Sequence, residues 1–409
     1  MEKSLPGSSS RLHYLDWLRV IAFTILIISN SARVFGTDHW WIQNSKNSIL
    51  IDHILIFVGQ WRMPLLFLIS GSTIAIVLKR KSLDRFLEDR VIRILIPLFA
   101  GMLLVIPLQI YFIWLSEGYN YSFIQFYSGI LELKWFPNGN LHWLHLWYLA
   151  FIFIYTLALI PFLSLIRSGD SQKFLSYVSK GLEHPVLFFM VVIIFQIPFY
   201  ILETLMPGSN LTQLAFNFSF FAFGVFFLTR RNLIFTIQKN RTYNFYVGTA
   251  FSIFLYLFFW SERGNGSSIL NSGLSGEIEI KVRLILSTIN RWLWLLTILG
   301  YASKYLNFSH KALNYANSAV YPFYILNQTV IVVLAYYVVN LDISVFFKFL
   351  IILSATFISI GILYEYVIKK TFLTRLVFGM KTSLEIINPL LRSSKFIRDY
   401  SFKLLYTKK

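Results

Sequence analysis

Apolar runs long enough to cross a bilayer recur ten times along this chain. They cover residues 15–36, 50–78, 91–115, 142–166, 185–204, 210–229, 243–261, 283–300, 318–341 and 344–368. A transmembrane helix needs about 20 apolar residues, whereas a barrel strand needs only about 9–11. In hydrocarbon every backbone polar group must be satisfied internally, so runs of this length have to be helices. The expected fold is an all-α polytopic membrane protein, a bundle of about ten helices with residues 15–368 as one transmembrane domain. Composition agrees, with 56 % hydrophobic and only 14 % charged residues. The loops between runs are too short to bury a core of their own.

The net charge of +18 would allow a nucleic-acid partner. Its placement argues against one, because Lys and Arg gather in alternate loops and in the tail with no basic face carrying stacking aromatics. That alternation is the positive-inside pattern. It places both termini and the 79–93 loop in the cytoplasm, with 116–141 and 262–282 facing outward. Residues 1–14 read as a short polar cytoplasmic segment, and the run after them is too long for a cleaved signal peptide. The tail, 369–409, mixes cations with apolar residues and is expected to lie on the anionic inner leaflet. The chain has no cysteine, which excludes disulfides and thiolate chemistry. No internal repeat is visible, so inverted-repeat transporter architectures gain no support.

The first run, LDWLRVIAFTILIISNSARVF, carries Asp16, Arg19, Asn30 and Arg33. At about 100° per residue all four fall on one side of a helix. Either they form a polar site inside the bundle, or Asp16 and Arg19 anchor the helix end by snorkelling. Snorkelling leaves Asn30 and Arg33 unexplained. The second run contains WRMPLLFLISG, with Trp61, Arg62 and Pro64 in mid-run. Proline removes a helical hydrogen bond and opens room for a polar group. Arg62 then either binds an anionic ligand or pairs with Asp52 or Asp16.

Arg90 and Arg93 stand at i and i+3 where the third run begins. The spacing puts them on one face, as a phosphate-binding pair or as a basic flank. His142 and His145 are three apart, but no further ligand at credible spacing accompanies them, so no metal site is expected. An interfacial belt of Trp and His is the plainer reading. Arg291 lies within the eighth run beside Trp292 and Trp294. In the ninth, Tyr324, Asn327 and Gln328 make the first half polar, with Pro322 as a break. A polar half-span with a proline commonly lines a cavity.

Six stretches together resemble the membrane acyltransferase-3 family, and most closely its glucan biosynthesis protein C-like branch. They are YLDWLRVIAF, NSARVF, WRMPLLFLISG, DRVIRILIPLFAGMLLVIPLQIYF, HLWYLAF and AVYPFYILNQTVIVVLAYYVV, in the expected order over nearly the whole chain. The resemblance implies an inner-membrane enzyme of ten helices. It would move an acyl group, succinyl among the candidates, from cytoplasmic acyl-CoA to a carbohydrate or glucan hydroxyl. The implied partners are membrane lipids, acyl-CoA and the acceptor, with no bound cofactor. Arg19, Arg90 and Arg93 would hold the donor's phosphates, and Arg62 and Tyr324 would line the acyl path. Asp16, Arg33, Trp61, His145, Gln328 and Arg291 would line the cavity. Two departures stand out: members of this branch usually have histidine before SARVF and before QTVIVV, where this chain has Asn30 and Asn327. Imidazole suits removal of a hydroxyl proton at neutral pH, whereas an amide cannot take that proton. The expectation is a transferase scaffold with an impaired or absent base. The alternative is a transporter, flippase or pseudo-enzyme of the same fold.

Overall fold

Nine helices among the described residues are long and apolar enough to cross a membrane, and a bent pair supplies a tenth crossing. In chain order the spans are His13–Arg33, Ile49–Leu78, Leu83–Ser116, Leu144–Phe162, Pro185–Leu205, the pair Asn210–Phe226 and Arg231–Lys239, Arg241–Trp260, Gly276–Tyr305, Lys311–Val338 and Val345–Ile368. They are called the first to tenth spans below. The computed structural model describes residues 12–78, 82–132, 134–135, 141–162, 168–262, 268–270, 272–274 and 276–380. The expectations for residues 1–11, for 79–81 and for the tail from 381 onward lie outside them. The chain is an all-α polytopic membrane protein.

Three boundaries differ from the sequence expectation. The third span begins at Leu83 rather than 91, so the expected 79–93 loop is helical from Leu83 on. Beyond the sixth run, which ends as a helix at Phe226, the chain bends by 110° into a second short helix, Arg231–Lys239. Arg230, Arg231 and Lys239 explain the bend, since charges resist continuing through hydrocarbon. Arg230 instead donates to Gln172 Oε1 at 2.8 Å. The eighth span begins at Gly276, taking in Glu277 and Glu279 that were expected in a loop. The pair Glu277–Lys281, four apart at 3.0 Å, supports that extra turn. The ninth begins at Lys311, where His310 Nδ1 accepts the Ala312 N–H at 3.2 Å. These helices outrun their apolar centres, which hydropathy alone reports.

The second and ninth spans are the most enclosed, 67 % and 61 % buried over their apolar windows, against 22 % for the fifth, seventh and tenth. The second and sixth spans meet backbone to backbone: a Cβ on Gly71 would collide with the Phe221 carbonyl, and one on Gly224 with the Leu68 carbonyl. Small residues permit such close approach between membrane helices.

Prolines bend two inner helices, and the carbonyls they free are capped from other elements. Pro64 leaves the Gln60 carbonyl without its helical donor, and Arg291 Nε of the eighth span donates to it at 2.8 Å. Pro107 frees the Leu103 carbonyl, which accepts the Tyr127 hydroxyl at 2.9 Å. Polar side chains at these kinks are therefore part of the scaffold.

Enlarging Gly71 to Leu should push the second and sixth spans apart. Overpacking of this kind costs about 1–3 kcal/mol, to be read from reversible unfolding in detergent. Gly59→Leu, with nothing within 4 Å of its added Cβ, should cost far less.

Candidate functional site

The polar stripe of the first span faces the ninth, and the two helices run side by side in the same direction. At the end where both begin, Asn317 links them. It donates through Nδ2 to Asp16 Oδ1 at 2.9 Å and accepts from Arg19 at 3.4 Å. Arg19 also donates to Thr73 Oγ1 of the second span at 2.7 Å and pairs with Asp16 at 3.5 Å. Arg90 lies over the Phe86 ring at 4.7 Å, within electrostatic reach of Arg19, Arg93, Asp89 and Tyr321. Its buried Nε has no hydrogen-bond partner. Arg19, Arg90 and Arg93 thus gather at one end of the bundle, called here the basic end.

The helix runs as a π-helix over Val91–Leu95, and Arg93 lies within electrostatic reach of Arg90. π-turns often accompany functional sites. Here the wider turn leaves room for the segment after the tenth span. A Cβ on Gly379, at φ +66°, would press on the Arg93 carbonyl and on Pro97. Only glycine suits both that conformation and that approach.

Eleven residues beyond Arg19 along the first span, about 16 Å at 1.5 Å per residue, Asn30 donates from Nδ2 to Asn327 Oδ1 at 3.0 Å. Both amides are buried, and Asn327 Nδ2 in turn donates to the Tyr324 carbonyl. Gln328 is buried beside them. The Tyr324 hydroxyl donates to the His145 carbonyl. Its ring sits 5.4 Å from Phe23, 5.6 Å from Tyr148 and 6.0 Å from His145. Tyr148 shares a hydrogen bond with Ser70 at 2.8 Å. The first, fourth and ninth spans therefore converge on Asn30, Asn327, Tyr324 and His145, with the second span joined through Ser70 and Tyr148.

At the opposite end a cavity of about 310 Å³ opens among Arg33, Asp38, His39, Trp40, Asp52 and Gln60. Arg33 lies over the Trp40 ring at 5.2 Å. Asp52 is occupied by Thr37, accepting its backbone N–H at 2.9 Å and its hydroxyl at 2.6 Å. That overturns one of the two pairings open to Arg62, and the Asp16–Arg19 pair overturns the other. Arg62 is buried, 7 % exposed, close enough to Arg33 for repulsion, and its Nε has no partner. Trp61 beside it is half-buried with an unpartnered Nε1. Arg291, besides capping Gln60, lies 4.7 Å over Phe216, so it braces the second span.

His142 and His145 do not share a face. The backbone turns through Leu144 at φ +35°, the one non-glycine residue with positive φ among those described. His142 Nδ1 accepts the Leu144 N–H at 2.7 Å, while His145 is buried against the ninth span. His142 lies 5.9 Å from Trp135, whereas His145 is buried against the ninth span and not in a surface belt.

A family model described as an acyltransferase domain matches residues 12–365. The chain belongs to the acyltransferase-3 family. No curated protein and no solved structure gives a match. This acyltransferase scaffold carries site elements that sequence reasoning missed, namely Asn317, Thr73 and the cavity around Asp38, His39 and Asp52. Asn317 was left out because the apolar run begins at 318, although it is one turn before Tyr321. The cavity is built by a loop, which has no periodicity to read.

The Asn30–Asn327 bond joins two helices where no water competes. Interhelical pairs of this kind couple by about 0.6–1.7 kcal/mol in double-mutant cycles. A cycle of Asn30→Ala and Asn327→Ala, read by unfolding in detergent, should give coupling in that range. Strict additivity would show that the two amides do not bond.

Proposed function

We propose that this acyltransferase-3 protein takes an acyl group from acyl-CoA at its basic end and esterifies a carbohydrate hydroxyl presented at the opposite end. The observation that carries this reading is the polar seam between the first and ninth spans. It joins an arginine cluster to a buried polar centre about 16 Å away along the helix, a distance that the extended pantetheine arm of CoA covers. The positive-inside pattern supports a cytoplasmic basic end, where acyl-CoA resides.

The residues divide the work by their chemistry. Arg90 offers an unpartnered buried Nε, and arginine's planar fork matches phosphate oxygens. Arg93 and Arg19 add positive charge on the same side. Asp16 partly neutralises Arg19, so Arg19 orients the donor more than it attracts it. Asn30 and Asn327 hold each other and can hydrogen-bond a carbonyl, but neither can carry a proton away. At the opposite end, Trp40, Asp38, His39 and Gln60 offer the mixture of aromatic face and hydrogen-bonding groups that a sugar takes, and Arg62 and Arg33 would favour an anionic acyl group such as succinyl.

Each charged hydrogen bond to phosphate is worth about 1.5–3 kcal/mol, and 1.4 kcal/mol is a factor of ten. Arg90→Ala or Arg93→Ala should therefore weaken CoA binding by about tenfold or more, measured by calorimetry on purified protein. Unchanged affinity in both folded variants would make these arginines membrane anchors and remove the donor site from the basic end.

A further inference from the structure

With asparagine at positions 30 and 327, the acyl-transfer reading lacks a group to take the acceptor's proton. One histidine lies in the same polar centre. His145 Nε2 is 2.8 Å from the Ile325 carbonyl oxygen. A carbonyl only accepts, so Nε2 carries the hydrogen and the neutral ring keeps its lone pair on Nδ1. That Nδ1 is buried and has no hydrogen-bond partner. The Tyr324 hydroxyl holds the His145 carbonyl, and Asn327 holds the Tyr324 carbonyl, so the imidazole is fixed to the turn of the ninth span that carries Asn327.

A purely structural latch would need only the N–H to Ile325. It would not need an enclosed lone pair with no donor, which is costly to bury. Nor would it need the left-handed backbone at Leu144 that turns the ring into the bundle. Such strain in a non-glycine residue persists where the surroundings enforce it, and it clusters at active sites.

We propose that His145 is the general base of acyl transfer in this chain, a role that rests on the transferase reading above. As the acceptor hydroxyl oxygen bonds to the thioester carbonyl carbon, Nδ1 takes its proton and the carbonyl π electrons move to oxygen. The tetrahedral adduct then re-forms the carbonyl and breaks the C–S bond. The imidazolium returns the proton to the departing CoA thiolate, giving ester and free thiol. Nδ1 is sealed in this conformation, so the acceptor reaches it through a shift of the strained Leu144 turn.

The test compares wild type, His145→Gln and the Asn30→His, Asn327→His double variant. Purified protein is given radiolabelled acyl-CoA and a soluble glucan. Glutamine keeps an N–H for Ile325 but has no basic lone pair. General-base catalysis contributes about 10²–10⁴-fold, so His145→Gln should lose at least a hundredfold in transfer with CoA affinity unchanged. The double variant should gain little. A His145→Gln protein that transfers at the wild-type rate overturns the role of His145 and leaves the transferase reading standing. Wild type that transfers nothing overturns both. A hundredfold gain in the double variant shows that the base was missing and overturns the role of His145.

Should His145→Gln not fold, the double variant decides against wild type: a gain of a hundredfold overturns the assignment, and an unchanged rate supports it.

Discussion

The structure depends on burying charged and amide side chains of the first span against the ninth. A charge at the bilayer centre costs about 2.5–3.5 kcal/mol even by insertion scales. Asp16, Arg19 and Asn30 escape that cost because Asn317 and Asn327 stand opposite them at matching heights. The match needs the two helices to run in the same direction, which the odd numbering of both spans provides. It also fixes register, since a slide of one turn would leave both asparagine contacts unmade. The outer fifth, seventh and tenth spans carry no comparable seam and are mostly lipid-facing.

Around this seam the remaining inner spans are held by devices that also shape the site. The glycine contact of the second and sixth spans brings backbones together. The kink at Pro64 is braced by Arg291, and that keeps Gln60 at the edge of the cavity near Arg33. The turn of the chain at Leu144 places His145 beside Tyr324. Scaffold and site share residues here, so a variant that lowers activity must be checked for folding before its chemistry is read.

Much of the fold was legible because hydrophobic run length is a direct physical requirement of the bilayer. All ten runs appear as spans, and the shared side of Asp16, Arg19 and Asn30 follows from helical periodicity. The ends were less legible. Hydropathy marks where lipid begins, not where hydrogen bonding stops, so Glu277 and Asn317 were placed outside helices that contain them. Partners were least legible of all. Nothing local to Arg62 says that Asp52 is already taken by Thr37. Nothing in the spacing of His142 and His145 shows that a left-handed turn at Leu144 sends them to different places. The family resemblance marked Asn30 and Asn327, and the structure brings that pair together at 3.0 Å. It did not mark His145 as more than a lining residue.

The central claim is that one polar seam serves a donor at the basic end and an acceptor at the other. Sidedness tests it most directly. The protein is reconstituted into sealed vesicles in one orientation, with acyl-CoA confined to the face bearing Arg90 and the glucan to the opposite face. The account predicts acylated glucan only in that arrangement, with free CoA released on the donor side. Acylation that requires both substrates on one face, or glucan that crosses unmodified, would contradict it.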